Sequence, residues 1–244
     1  MSILKRTVII GILLAMPLHA GSEATSTAVQ PAAADKAVSA VPAYKPPLRG
    51  APAGRVGGGT RGATERESFA LQVLAPDHLG YTVREQPCLY WYISNPTTHP
   101  LELTVTERNA VAPLLEKTMQ ASAQGGIQSA CLADYGVKLR KDVQYKWFVT
   151  LVTDPERRSK DILAGGMLMV VDPQPLLAEQ LKAAAPGSLP NIYAEEGFWY
   201  DAIGALSQLI EETPANRELH RQRAALLEQV GLAEVAAYEN DQAK

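Results

Sequence analysis

At Asp172-Pro173 the periodicity of the chain changes, and no single class of secondary structure accommodates both sides of that point. Before it, apolar residues recur at every second position in short runs; after it they recur at every third or fourth. The run 143–151 places Val143, Tyr145, Trp147, Val149 and Leu151 on one face, as a half-buried strand requires. The run 88–93 carries Tyr90, Trp91 and Tyr92 and is bounded by Pro87 and Asn95-Pro96, while 101–106 alternates strictly. Both read as antiparallel strands. Runs at 69–75 and 162–171, with weaker ones at 114–116 and 127–132, bring the expectation to six to eight short strands over roughly 110 residues, the spacing of an immunoglobulin-like antiparallel β-sandwich.

Beyond the switch the stripes are helical. Leu176, Leu177, Gln180 and Leu181 begin a short helix that Pro186-Gly187 ends. From 192 to 213 the residues Trp199, Ile203, Leu206 and Ile210 share one face and Pro214 closes the helix. Asn216 is placed to N-cap the next one, whose stripe is Leu219, Leu226, Leu227 and Val230, and Gly231 ends it before another short helix at 232–238. Gly197 and Gly231 are 34 positions apart, as are Ala202 and Ala236, which is the tetratricopeptide period. The expected class is therefore α+β: a sandwich over 63–172, then a helical module over 173–244 that is either a repeat-like docking unit or an ordinary helical hairpin packed on the sandwich.

The first 20 residues join Lys5 and Arg6 to the apolar stretch 8–16, then Pro17 and Ala20. That order is a secretory signal, its core too short to span a membrane that needs roughly 20 residues, and cleavage is expected after Ala20. Its removal takes two cations and no acids, moving the formal charge from −3 to −5. Residues 21–62, rich in Ala, Pro, Ser, Thr and Gly, lack an apolar face and read as a disordered tether. An exported protein sits in an oxidising compartment, periplasmic or at the cell surface. The only cysteines, Cys88 and Cys131, are expected to pair there, stabilising the fold by roughly 4 kcal/mol in the chain-entropy model; the alternative is two buried thiols.

Several function classes are excluded on composition and spacing. With 23 Lys and Arg against 26 Asp and Glu there is no electrostatic footprint for nucleic acid. His78, His99 and His220 stand in no metal-ligand spacing, and His19 leaves with the signal. No Gly-x-Ser-x-Gly elbow occurs, and the carboxylate pairs Glu195-Glu196 and Glu211-Glu212 read as solvated helix surface. No cofactor, metal or catalytic residue is expected. Gly57-Gly58-Gly59-Thr60-Arg61-Gly62 lacks the ending of a phosphate loop and reads as linker or as a segment along the sandwich edge. The charged turn 154–161 holds Asp154, Arg157, Arg158, Ser159 and Asp161; with Arg61 these are the candidates for gripping a partner or an anion, since guanidinium groups bind carboxylate and phosphate in a fork. Trp91 and Trp147 are the candidates for stacking on a sugar.

Taken in order, the stretches 55–61, 87–92, 145–147, 154–161 and 193–202 make this chain resemble the bacterial family catalogued as domain of unknown function 928, well represented in cyanobacteria. Its GGG-x-R and DP-x-x-RS motifs match at Gly57, Gly58, Gly59 and Arg61 and at Asp154, Pro155, Arg158 and Ser159. The resemblance covers about residues 49–239. It implies an exported protein and brings no catalytic residue with it. The expected function is non-enzymatic recruitment of a protein partner in the periplasm or at the surface; the alternatives are binding of an envelope glycan and an unrecognised hydrolase.

Overall fold

The computed structural model describes residues 41–47, 54–59, 70–120 and 124–244. Its strands are β1 (Gly58–Gly59), β2 (Ala70–Val73), β3 (Gly80–Thr82), β4 (Cys88–Ile93), β5 (Pro100–Glu107), β6 (Leu115–Gln120), β7 (Gly126–Cys131), β8 (Gln144–Leu151) and β9 (Ile162–Val170). The helices are α1 (Pro175–Ala183), α2 (Leu189–Glu195), α3 (Trp199–Glu212), α4 (Arg217–Gln229) and α5 (Ala233–Gln242). The class is α+β, as the change of period requires.

The strands form two sheets, β1-β2-β4-β7 and β3-β9-β8-β5-β6. The register explains why they face each other. In the smaller sheet, Leu71 and Val73 of β2 lie opposite Ile93 and Trp91 of β4, so Leu71, Val73, Leu89, Trp91 and Ile93 share a face. In the larger, Leu101, Leu103 and Val105 of β5 lie opposite Leu151, Val149 and Trp147 of β8. All of these side chains are buried in one continuous core, which is what alternation with period 2 provides. The other face of the smaller sheet is also covered, by helices: Tyr92 packs its ring on Tyr238 of α5 with centroids 5.2 Å apart, and Tyr90 is hydrogen-bonded to Ser207 of α3. Burial on both faces accounts for the unbroken apolar composition of β4.

The all-antiparallel expectation needs correction. β3 pairs with β9 in parallel, Gly80 to Leu168 through Thr82 to Val170, so the larger sheet is mixed. At three residues, β3 is too short to show alternation and is a strand only by virtue of its partner. The expected single helix over 192–213 is likewise two, α2 and α3, separated at Gly197. That residue has φ +81°, and a Cβ there would lie 2.9 Å from the Lys45 carbonyl. Glycine alone fits both the left-handed backbone and the close approach. Asn216 caps α4 as expected, its side chain accepting from the Glu218 amide at 3.1 Å, and Gly231 ends that helix with φ +73°.

Residues 1–40, including the expected signal, lie outside the described residues, as do Arg61 and most of the expected tether. Two parts of that tether are packed. The Tyr44 amide donates to Gln229 and the Gln229 side chain donates back to the Pro42 carbonyl, each at 2.8 Å. Val56 bridges Gly165 on the open flank of β9, and Gly58–Gly59 then pairs with β2, so this segment runs along the edge from one sheet to the other. The Arg55 guanidinium donates to the carbonyls of Ala75, Val230 and Gly231. Backbone pairing, this clip and the Tyr44 ring, packed edge-on against Trp199 with centroids 5.0 Å apart, hold these segments.

Candidate functional site

A groove of about 280 Å³ opens where α3 crosses the disulfide end of the smaller sheet. One wall is a stripe of α3: Tyr200, Asp201, Gly204, Gln208 and Glu211. These positions follow a helix face, so the stripe runs about 16 Å at 1.5 Å per residue. The other wall is Tyr90, Ser129 and the Cys88–Cys131 disulfide, with Arg84 and Pro87 at the rim. Cys88 and Cys131 are direct cross-strand partners of β4 and β7, and Tyr90 and Ser129 are the next pair on the same face. Register alone therefore brings this wall together.

Asp201 is the unusual group. It lies in the first turn of α3 and is fully buried, and burial pushes its carboxyl up to about 6 despite the donors around it. The Val83 amide donates to Oδ2 at 2.9 Å, and the Thr82 hydroxyl also bonds this carboxyl. Oδ1 has no hydrogen-bond partner among the described residues; Arg84 Nε lies 3.4 Å away, with half of its side chain exposed. The Arg84 guanidinium is also hydrogen-bonded to the Tyr193 hydroxyl. A buried carboxyl with a raised pKa in a cleft marks a functional site more often than chance. The Tyr90 hydroxyl is pushed up as well, by burial first and by the Glu211 charge second.

The groove is braced from behind. Arg223 donates from Nε and Nη2 to the two oxygens of Glu239 at 2.9 and 2.8 Å, and from Nη1 to Ser207 Oγ at 3.0 Å. Ser207 is the residue bonded to Tyr90, so the buried ion pair reaches the groove wall through one hydroxyl. His220 meets Glu239 Oε2 through Nδ1 and the Pro214 carbonyl through Nε2, at 2.9 and 3.2 Å. Although Ser207, His220 and Glu239 are the residue types of a hydrolytic triad, both ring nitrogens of His220 are taken by oxygen acceptors and Ser207 is held by Arg223. The nucleophile-to-base contact that activation requires is not made by this set.

The residues singled out from sequence have other places. Cys88 and Cys131 form the expected disulfide, and it lines the groove. The 154–161 turn is a clamp on β5. Arg158 forks onto Glu102 at 2.9 and 2.5 Å and also meets Asp161 at 2.6 Å, holding the Glu102 carboxyl below the usual carboxylate range. Arg157 meets Asp154 at 2.6 Å, and Ser159 lies in the short turn Arg158–Lys160. These guanidinium groups are engaged by carboxylates of the chain itself. Trp91 and Trp147 are 2% and 0% exposed, so neither ring face is open to a sugar; alternate strand positions in a two-sheet core must bury their largest side chains. Among the described residues no group of three or more His, Cys, Asp or Glu is placed to hold a metal ion, and no helix is long and apolar enough to cross a membrane.

Asp201, Arg84 and Gln208 are not singled out as site residues by the sequence, and Glu211 reads there only as solvated helix surface. The available signal was Asp201 itself, a carboxylate between Tyr200 and Ala202 in a helix whose neighbours are apolar on several sides, as in a helix buried all round.

Residues 56–239 match the family described as Domain of Unknown Function (DUF928), and the chain belongs to that family. A comparison with curated proteins finds no match. Among solved structures, the chain is similar to a multi-domain immunophilin from Arabidopsis thaliana at 8% identity, over 75% of this chain and 98% of that one, with a TM-score of 0.17. A likeness of that degree carries no argument about fold or function.

Proposed function

We propose that this member of the family is an exported, non-enzymatic binding protein that recruits a partner protein, and that an extended segment of the partner lies in the groove along α3. The observation that carries this reading is the shape of the groove. A stripe of about 16 Å on one helix, faced by a sheet wall, accommodates about five residues of extended chain at roughly 3.3 Å each, with polar groups spaced along it. The disulfide supports export, because such bonds persist in oxidising compartments, in keeping with a signal over 1–20 and a periplasmic or surface location. In finer detail we read the facing sheets as an immunoglobulin-like sandwich. The pairs α2–α3 and α4–α5 read as tetratricopeptide-like hairpins, supported by Gly197 and Gly231, 34 positions apart, both with positive φ at helix ends.

A photo-crosslinking residue at Gln208, with another at the exposed Glu179 of α1 as control, tests the reading in cells. The expected result is a discrete adduct from position 208, absent from 179, that is removed by protease. An envelope glycan in the same groove is the competing occupant, favoured by the mixed guanidinium, amide and carboxylate lining. It predicts an adduct that survives protease and is lost to glycosidase, and either that outcome or no adduct overturns the peptide reading.

A further inference from the structure

Resting on that reading, we infer that the Asp201–Arg84 end of the groove selects a neutral carboxamide, the side chain of an asparagine or glutamine in the bound segment. Two features of the site define the chemistry. Asp201 Oδ1 is a buried acceptor without a hydrogen-bond partner among the described residues, and an unmade bond of this kind is costly until a donor arrives. Beside it, Arg84 offers guanidinium N–H groups, with Nε 3.4 Å from that oxygen and the group hydrogen-bonded to Tyr193. An acceptor on the α3 wall and a donor at the rim thus stand side by side.

Charge narrows the ligand. An ammonium approaching Oδ1 meets the Arg84 guanidinium, and a carboxylate approaching Arg84 meets Asp201, with Glu211 farther along the same stripe. A neutral group with its own donor and acceptor avoids both repulsions. Geometry narrows it again. A trans backbone amide points its N–H and C=O in opposite directions, so one peptide unit cannot address both partners from one side. A primary carboxamide carries C=O and NH₂ together at its end: the NH₂ donates to Oδ1 while the C=O accepts from Arg84. The groove is lined nearby by Pro87 and the disulfide, apolar surface suited to the methylene stem.

The test is fluorescence anisotropy with labelled pentapeptides of alanine carrying glutamine, norleucine, lysine or glutamate at the centre. The glutamine peptide is expected to bind about tenfold tighter than the norleucine peptide, the difference made by about 1.4 kcal/mol of matched hydrogen bonding, and both charged peptides more weakly than glutamine. In Asp201→Asn and, separately, Arg84→Met, each verified as folded by circular dichroism, the preference for glutamine over norleucine falls to within about twofold. Equal binding of glutamine and norleucine, or tightest binding by lysine or glutamate, overturns the carboxamide inference and leaves the peptide groove standing. Binding by none of the four, with displacement of a labelled oligosaccharide instead, overturns the peptide reading itself.

Discussion

The carboxyl of Asp201 binds its proton more tightly in the folded chain than in the unfolded one, since burial lifts it from 3.8 to about 6. Between about pH 4 and 6 the folded state therefore holds a proton that the unfolded state has released. Stability falls as pH rises through that window, by up to about 3 kcal/mol for a shift of this size. Asparagine keeps an oxygen for the Val83 amide and carries no charge to bury. Asp201→Asn is accordingly expected to be more stable than the parent by about 1–3 kcal/mol at pH 7.5, with the two converging near pH 4; urea denaturation across pH reads this directly, and a less stable variant at pH 7.5 contradicts it. The opposite response is expected at Glu239. Its removal strands the buried Arg223 guanidinium, so Glu239→Ala should cost about 3–5 kcal/mol, whereas Arg223→Met with Glu239→Leu recovers most of that loss. At this scale the sequence was least informative. The partners of Asp201 are Thr82, Val83 and Arg84, more than a hundred residues away, and no local pattern announces such a meeting. The ion pairs of Arg157 and Arg158 were hidden for a related reason, because a pair of arginines in a turn looks the same whether its carboxylates are internal or brought by a ligand.

The elements were more legible. β5 and β8 follow from alternation, each being long enough for period 2 to be seen, while β4 and β9 are unbroken apolar runs set off by their flanking turn residues. β3 was not anticipated, and the edge strand β1 only as one of two readings of its glycine run, linker or a segment along the sandwich edge. Their two or three residues carry no period, and what makes them strands is the hydrogen bonding of β9 and β2. The division between α2 and α3 was hidden for a different reason. The apolar stripe of α3 begins just after the break, and a single glycine in a helical frame costs only about 1 kcal/mol, too little to predict a turn. Structure supplies the missing term, the Lys45 carbonyl pressed against Gly197. Gly197→Ala is expected to destabilise by about 1–2 kcal/mol through backbone strain and this contact. Thermal unfolding of the variant at neutral pH checks it, and an unchanged midpoint would mean that the turn and the 41–47 segment are not coupled.

The whole molecule joins what composition had divided. The boundary near residue 172 separates two periods, yet Trp199 donates to the Leu74 carbonyl at 2.8 Å, and the Tyr200 hydroxyl takes the Trp147 indole and gives to the Met167 carbonyl. Helices and sheets thus share one buried cluster. A chain ending at 172 would expose Tyr90 and Tyr92 to water and lose the plug that Tyr200 forms. It is expected to show no cooperative unfolding transition, and a sharp one would return the sandwich to independence. The groove exists only in the intact assembly, since one wall comes from α3 and the other from β4 and β7. The central claim, that this groove receives an extended peptide, is tested most directly by titrating isotopically labelled protein with the glutamine pentapeptide and following amide shifts by NMR. Saturable changes clustered at Arg84, Ser129, Gly204 and Gln208, with residues of the β5–β6 hairpin unmoved, are the predicted result. Changes clustered elsewhere, or none up to millimolar peptide, would contradict it.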